Sequence, residues 1–349
     1  MPQALPIIRG LNPTRAQVPV TWTDSVRASD FVWRLVSSQR HRHPEDDEAA
    51  VAERFAHGAV VTDKGVPLGA DDLLRPGTWI NFYRRPAPER PVPGELTVLH
   101  QDSNIVVVDK PPFLATLPRG QHITETALTK ARVALNNPEL SPSHRLDRLT
   151  SGVLMFTASR AVRGAYQTMF DRRIPQKTYE AITPLVGGAP YAPLPEFSDW
   201  TQWEPPTEEN PWRLEHCMVK IQGRLSTFLT DEPPNAVTLV TALKEEERVV
   251  GRQPDGSPLC RKVLVWTLKP LTGKTHQLRV ALRSLGLPLI NDPLYSEVTD
   301  KALTTPNGEL PRPVFAEDED FNHPLGLVAK ILEFDDPLTG EPRRFTSLR

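Results

Sequence analysis

Cysteine is nearly missing from this chain: Cys217 and Cys260 are the only two in 349 residues. Their separation matches neither a metal-ligand pattern nor a framework of paired thiols. A disulfide-stapled fold and a cysteine metal centre are thereby excluded, and a reducing compartment fits. Long apolar runs are missing as well, since no stretch reaches the ~18 uninterrupted apolar residues that a membrane helix needs. The start, Met1-Pro2-Gln3-Ala4-Leu5-Pro6, has no basic segment leading into an apolar core. The expectation is a cytoplasmic protein without membrane attachment. An excess of one charge sign is also absent, the formal net charge being −2. Overall charge therefore announces no nucleic-acid partner, and a local patch would have to meet one.

Proline is plentiful instead, at 37 residues, and its clustering marks linkers better than its total does. The stretch Arg84-Arg85-Pro86-Ala87-Pro88-Glu89-Arg90-Pro91-Val92-Pro93 has the composition of an extended connector. The expected organisation is a small α+β module over 1–83, a Pro-rich linker over 84–95 and a catalytic domain over 96–349. In the module a helix is expected over 49–57, followed by short strands and tight turns. Beyond the linker, apolar alternation predicts strands at 97–99, 105–108, 153–157, 177–183, 218–221, 225–229, 263–268 and 327–334. Helices fit 124–136, 161–172 and 275–285. Without regular βαβ alternation the predicted class is α+β, a mixed and largely antiparallel sheet flanked by helices. Residues 187–212, with several prolines among three tryptophans, read as an ordered loop, and 244–261 as a long hairpin or an exposed insertion.

Charge is segregated along the chain. Over 260–283 the cations Arg261, Lys262, Lys269, Lys274, Arg279 and Arg283 occur with no acid between them. Acid collects elsewhere, in Glu45-Asp46-Asp47-Glu48 and Glu317-Asp318-Glu319-Asp320. The most informative stretch is His144-Arg145-Leu146-Asp147-Arg148-Leu149-Thr150-Ser151-Gly152, which sets one carboxylate between two arginines. Flanking cations favour an ionised Asp147, a candidate nucleophile or base. The same residues also compose an ordinary turn leading into the apolar run 153–156, so turn and site remain alternatives on this stretch alone.

Two further stretches qualify. In Gln176-Lys177-Thr178-Tyr179-Glu180-Ala181-Ile182, strand alternation puts Lys177, Tyr179 and Ala181 on one face. A tyrosine beside a cation can hold a nucleobase drawn out of its stack, although aromatics favour strands in any case. In Leu271-Thr272-Gly273-Lys274-Thr275-His276-Gln277-Leu278-Arg279-Val280-Ala281-Leu282-Arg283, helical spacing places His276, Arg279 and Arg283 on one side and Leu278, Leu282 and Leu285 on the other. One face is then core and the other cationic, with Gly273 and Lys274 placed for a phosphate at the helix start.

Together these stretches, residues 144–152, 177–179 and 272–292, resemble the RluA-type pseudouridine synthase family. Its signature is H-R-L-D-x-x-T-S-G, then a K-x-Y strand, then T-G-R-x-H-Q-[IL]-R-V-x-L with a downstream G-x-P-[IL]-x-G-D. Ile105-Val106-Val107-Val108-Asp109-Lys110-Pro111 is similar to the family's opening strand and 327–334 to its closing one, so the resemblance covers about 95–349. It implies the pseudouridine synthase fold, with Asp147 attacking a flipped uridine. Tyr179 would stack on the base and stand ready for the C5 proton, and Arg279 would pair with Asp147. Arg145, Arg148, Thr150, Lys177, Lys274, His276 and Leu278 fall on the substrate and RNA side. The implied reaction cleaves the C1′–N1 bond, rotates the uracil and rejoins it through C5, with no metal or cofactor. The implied partner is structured RNA, ribosomal or transfer, met by a monomer.

The chain departs from the pattern at Lys274, where the family usually has Arg, at Asn291 for Gly, and at Val328 where His is frequent. Lys274 keeps the charge but loses the bidentate fork. Residues 111–120 lack the common His-Pro pair. The N-terminal module loosely resembles a diverged alpha-L RNA-binding motif through Arg54–His57, Gly58-Ala59-Val60-Val61 and Arg75-Pro76-Gly77. A kinase reading of His144-Arg145-Leu146-Asp147 fails for want of a Gly-rich loop and a D-F-G. A glycosidase would need a second motif-like acid. An inactive RNA-binding or ribosome assembly factor of the same fold is the non-enzymatic alternative.

Overall fold

The computed structural model describes residues 4–185, 193–222, 225–296, 303–304 and 318–349; the part of the expected 187–212 loop over 187–192 lies outside them. Two compact units emerge, Met1–Pro91 with Leu117–Pro138, and Val92–Thr116 with Glu139–Arg349. The segment 117–138, which the sequence pattern leaves within 96–349, thus goes with the first unit.

The first unit contains β1 (Thr14–Gln17), β2 (Val26–Arg27), α1 (Ala28–Ser37), α2 (Glu48–Ala56), β3 (Val61–Thr62), β4 (Leu73–Leu74), β5 (Trp79–Phe82) and α3 (Ala127–Ala134). A β1-β5-β3 sheet and a β2-β4 pair surround a core of Phe31, Val32, Val36, Val51, Phe55, Ile80 and Phe82. Asp47 starts α2 by accepting from the Ala50 N–H, as an N-cap should. The segment 117–138 is tied in by charge-assisted bonds. The Glu89 carboxylate accepts from the backbone N–H groups of Ile123, Thr124 and Glu125, and Arg132 donates to the Gly10 carbonyl.

The second unit contains β6 (Thr97–Gln101), β7 (Ile105–Lys110), β8 (Ser141–Pro142), β9 (Ser151–Thr157), α4 (Arg160–Asp171), β10 (Gln176–Pro184), β11 (Trp212–Val219), β12 (Phe228–Thr230), β13 (Ala236–Arg252), β14 (Pro258–Pro270), α5 (Gln277–Ser284), β15 (Leu327–Asp335) and β16 (Pro342–Thr346). They form one sheet ordered β12-β11-β13-β14-β10-β15-β9-β7-β6, with β16 on β15 and β8 on β9. Every pairing is antiparallel except β9 with β15. This is the predicted α+β class with a mixed, largely antiparallel sheet. The first half of β13, over 236–243, adds a strand to those expected, and residues 244–261 form the outer part of the β13–β14 hairpin. α4 seals one sheet face, burying Tyr166 and Met169 against Ile105, Val107, Val153, Met155, Leu332 and Phe334. Among the described residues no helix is long and apolar enough to cross a membrane.

The parallel joint is tight. Gly152 has φ +108°, and a Cβ there would lie 2.3 Å from the Ala329 carbonyl oxygen. Only glycine allows this approach, and it fixes where β9 begins, directly after the turn that carries Asp147.

Candidate active site

The turn is held from three sides. The Thr150 N–H donates to the Asp147 carbonyl at 3.1 Å, closing four residues into a turn. The Thr116 hydroxyl donates to the Leu146 carbonyl at 2.7 Å and accepts from the Leu146 N–H at 3.2 Å. Lys110, buried at the end of β7, donates to the carbonyls of Pro111, Leu114 and Arg148. Burial pushes its ammonium well below the ordinary lysine range, while the Asp147 charge opposes that shift. His144 prolongs the β8–β9 ladder with its side chain, Nε2 accepting from the Met155 N–H at 3.2 Å as its ring stacks on Phe170 at 4.8 Å. Burial, then the charge of Lys177, keeps that imidazole neutral. The stretch 144–152 is thus a rigid turn that leaves the Asp147 side chain 39 % exposed.

The two arginines beside Asp147 do not embrace it. Arg148 forms a fork with the Glu319 carboxylate, at 2.5 and 2.7 Å, and Arg145 is exposed. This corrects the expectation that both flank the carboxylate, because side chains of consecutive turn residues diverge even where their order in sequence is contiguous. Glu319 lies 171 residues away from Arg148 along the chain, beyond the reach of a local pattern.

On β10, Lys177 lies 5.1 Å from the centre of the Phe170 ring and is half-buried; burial lowers its ammonium. Tyr179 opposes Leu268 on β14 and Ala329 on β15, where the register shifts between Thr178 and Tyr179. Burial, followed by the Asp147 charge, raises its phenol far above the ordinary tyrosine value. The phenol is therefore neutral, a poor proton acceptor but a good shelf and donor. Its response to Asp147 places the two within electrostatic reach.

α5 departs most from expectation. Every residue from Gln277 to Ser284 is buried, including Arg279 and Arg283, so the predicted cationic solvent face does not exist. The helix packs against β11, β13 and β14, and its polar side meets partners from elsewhere. Arg279 forms a two-pronged pair with Asp292, Nε to Oδ2 at 2.8 Å and Nη2 to Oδ1 at 2.6 Å, rather than with Asp147. Burial alone would raise the Asp292 carboxyl. Arg279 and the N–H groups of Leu294 and Tyr295 outweigh it and hold the group below the usual range. The Arg279 guanidinium also sits 5.0 Å above the Tyr295 ring. Leu278 is core, Thr150 is buried behind its turn, and Lys274 is exposed with its N–H already given to Gln277 Oε1.

His276 caps this helix with left-handed backbone, φ 58°. Its Nδ1 lies 2.9 Å from the Tyr295 hydroxyl and its Nε2 3.9 Å from Asp147 Oδ2. Burial, then Arg279, lowers the imidazole to about 4. Lys220, which the motifs do not mark, donates to the Leu225 and Ser226 carbonyls and feels the Asp147 charge. The structure thus gathers Asp147, Tyr179, His276 and Arg279 and adds Lys110, Thr116, Lys220, Asp292 and Tyr295; it sets Arg148, Lys177 and Leu278 to supporting tasks. A carboxylate in the Asn291-Asp292 pair, 13 residues beyond Arg279, was the available signal for the buried ion pair. Among the described residues no group of three or more His, Cys, Asp or Glu is placed to hold a metal.

A family model for RNA pseudouridylate synthase matches residues 104–284, which is just over half of the chain. An uncharacterized RNA pseudouridine synthase of Synechocystis is 28% identical over 258 residues, 74% of this chain and 77% of its own. The dual-specificity RNA pseudouridine synthase RluA of Haemophilus influenzae is 28% identical over 261 residues, 74% of this chain and 94% of its own. The mitochondrial tRNA pseudouridine(32) synthase of Saccharomyces cerevisiae is 33% identical over 276 residues, 77% of this chain and 48% of its own. The motifs around Asp147, Tyr179 and Arg279 lie within the matched span, and the chain belongs to the RNA pseudouridylate synthase family, in its RluA-type branch, as a pseudouridine synthase, an isomerase.

Proposed function

We propose that this enzyme isomerises particular uridines in structured RNA, ribosomal or transfer, with Asp147 as the reacting carboxylate. The observation that carries the reading is the contrast within the site: a half-exposed carboxylate on a rigid turn, with a neutral phenol and a buried guanidinium within electrostatic reach. The uridine has to leave its stack to reach Asp147. Tyr179 then offers a ring face to the base, and Arg279, immobilised by Asp292, supplies a fixed positive charge beside the developing reaction. In the isomerisation the C1′–N1 bond breaks, a C1′–C5 bond forms, the C5 proton leaves and N1 gains one. Nothing is oxidised or reduced, so the balance calls for no redox cofactor.

Since Tyr179 is held protonated, the reading gives it the shelf and not the role of C5 base. Lys220, Lys274 and Arg145 are the exposed cations for the RNA backbone, whose contribution is sequence-independent and falls with salt. The test follows release of tritium from RNA labelled at uridine C5, together with mapping of pseudouridine in RNA from cells lacking the protein. Asp147→Asn is expected to lower the single-turnover rate by about 10³-fold or more while the fold persists. An unchanged pseudouridine profile after deletion would instead support the inactive assembly factor.

A further inference from the structure

His276 holds a left-handed backbone at φ 58°, a conformation that non-glycine residues rarely adopt. The strain aims the imidazole between two oxygens. On one side Nδ1 lies 2.9 Å from the hydroxyl of Tyr295, a fully buried ring met edge-on at 5.5 Å. That hydroxyl already accepts the Thr227 N–H at 2.8 Å, and the Thr227 hydroxyl is turned to the Thr275 carbonyl at 2.9 Å. Two acceptors then stand beside the phenolic proton, the Thr227 hydroxyl and His276 Nδ1, and the 2.9 Å approach of Nδ1 favours the imidazole. A neutral imidazole that accepts at Nδ1 carries its own proton on Nε2. Nε2 is the nitrogen 3.9 Å from Asp147 Oδ2.

The ring is neutral because burial and Arg279 depress it, assisted by Lys220 and opposed by Asp147 and Asp292. Burial likewise keeps the Tyr295 phenol protonated. The gap to Asp147 is about 1 Å beyond a hydrogen bond, and sites without substrate commonly show such slack. Closing it takes a shift of about 1 Å by the half-exposed Asp147 side chain.

We propose that the Tyr295 hydroxyl locks His276 in the Nε2–H tautomer, and that this N–H orients the Asp147 carboxylate for reaction. His276 is then a positioning residue and not an RNA contact. A neutral donor holds one carboxylate oxygen in place and leaves the negative charge available on the other. The proposal rests on Asp147 being the reacting group.

The test uses the full-length protein. Nitrogen-15 NMR of labelled histidines at neutral pH, with the His276 signals identified by their loss in His276→Gln, is expected to show a protonated Nε2 and a bare Nδ1. Tyr295→Phe is expected to abolish that preference. In single-turnover assays His276→Phe is expected to slow pseudouridine formation by about 10²-fold, the scale of a 1 Å misplacement, with RNA affinity unchanged. His276→Gln, whose amide N–H reaches the same carboxylate, is expected to recover to within about tenfold of wild type. A protonated ring, an Nδ1–H tautomer, a wild-type rate in His276→Phe, or a loss confined to RNA affinity would each overturn the proposal. If the wild-type protein forms no pseudouridine at all, the reading of Asp147 fails, while the NMR measurement still decides the tautomer lock.

Discussion

The turn over 147–150 and the loop over 291–295 each bring an aspartate to the same site and hold it in opposite ways. Asp147 keeps its side chain 39 % exposed, with the neutral His276 imidazole 3.9 Å away. Asp292 is completely buried, and accepts two bonds from Arg279 and one each from the Leu294 and Tyr295 N–H groups. A carboxylate whose lone pairs are all engaged is a structural anion, because breaking such a buried pair strands a charge. One whose lone pairs face outward is available for chemistry. Burial and bonding, more than residue type, separate the two roles.

Substitution at both positions breaks the comparison most sharply. Asp147→Asn is expected to abolish turnover yet change the urea midpoint little, since partly exposed positions cost within about 0.5 kcal/mol. Asp292→Asn leaves Arg279 buried without its partner charge and is expected to destabilise by about 3–5 kcal/mol, read by the same denaturation. Equal stability losses at the two positions would erase the distinction.

The pattern of α5 explains why Asp292 was hidden from the sequence. Periodicity distinguishes a polar from an apolar side, but a polar side looks the same whether water or a buried ion pair faces it. Arg279 and Arg283 were legible as a stripe; that β11, β13 and β14 would enclose them was not. The turn over 144–152 was legible because it is closed locally, by the Thr150 to Asp147 bond. Its distant supports, Thr116 and Glu319, were not. The strand pattern gave the class of the sheet, while the parallel pairing of β9 with β15, Val328 with Ser151 and Ala329 with Gly152, joins residues far apart in the chain, which no period encodes.

Tyr179 sharpens the comparison at a lower level. Tyr179→Ala removes the shelf and is expected to cost about 1–3 kcal/mol of stacking on the base. Tyr179→Phe keeps the ring and is expected to slow single turnover by no more than about tenfold. A loss of 10²–10⁴-fold, the scale of a general base, would return proton transfer to the phenol.

The histidines give a pH signature. His216, bonded through Nε2 to Ser284, has its imidazole lowered by burial to about 4, and His276 is also lowered to about 4. The unfolded chain takes up these protons near pH 6.5 and the folded one does not. Stability is therefore full above that pH and falls as pH drops from about 6.5 towards 4, by roughly 1 kcal/mol per pH unit for each such group. His216→Phe is expected to flatten this slope in urea titrations. The smallest effect belongs to Lys274→Ala, expected to weaken RNA binding evenly across sequences and reduce the salt slope by about 1; a loss that depended on sequence would contradict it.

β15 is the seam between the two halves of the large sheet. β9, beside the Asp147 turn, lies on one side of it, and β10, with Tyr179, on the other. It spans Leu327–Asp335 and so follows both of them along the chain. Until it is made, the nascent chain carries both halves of its active site with nothing of the sheet to join them. Catalytic competence therefore waits on the docking of this one strand.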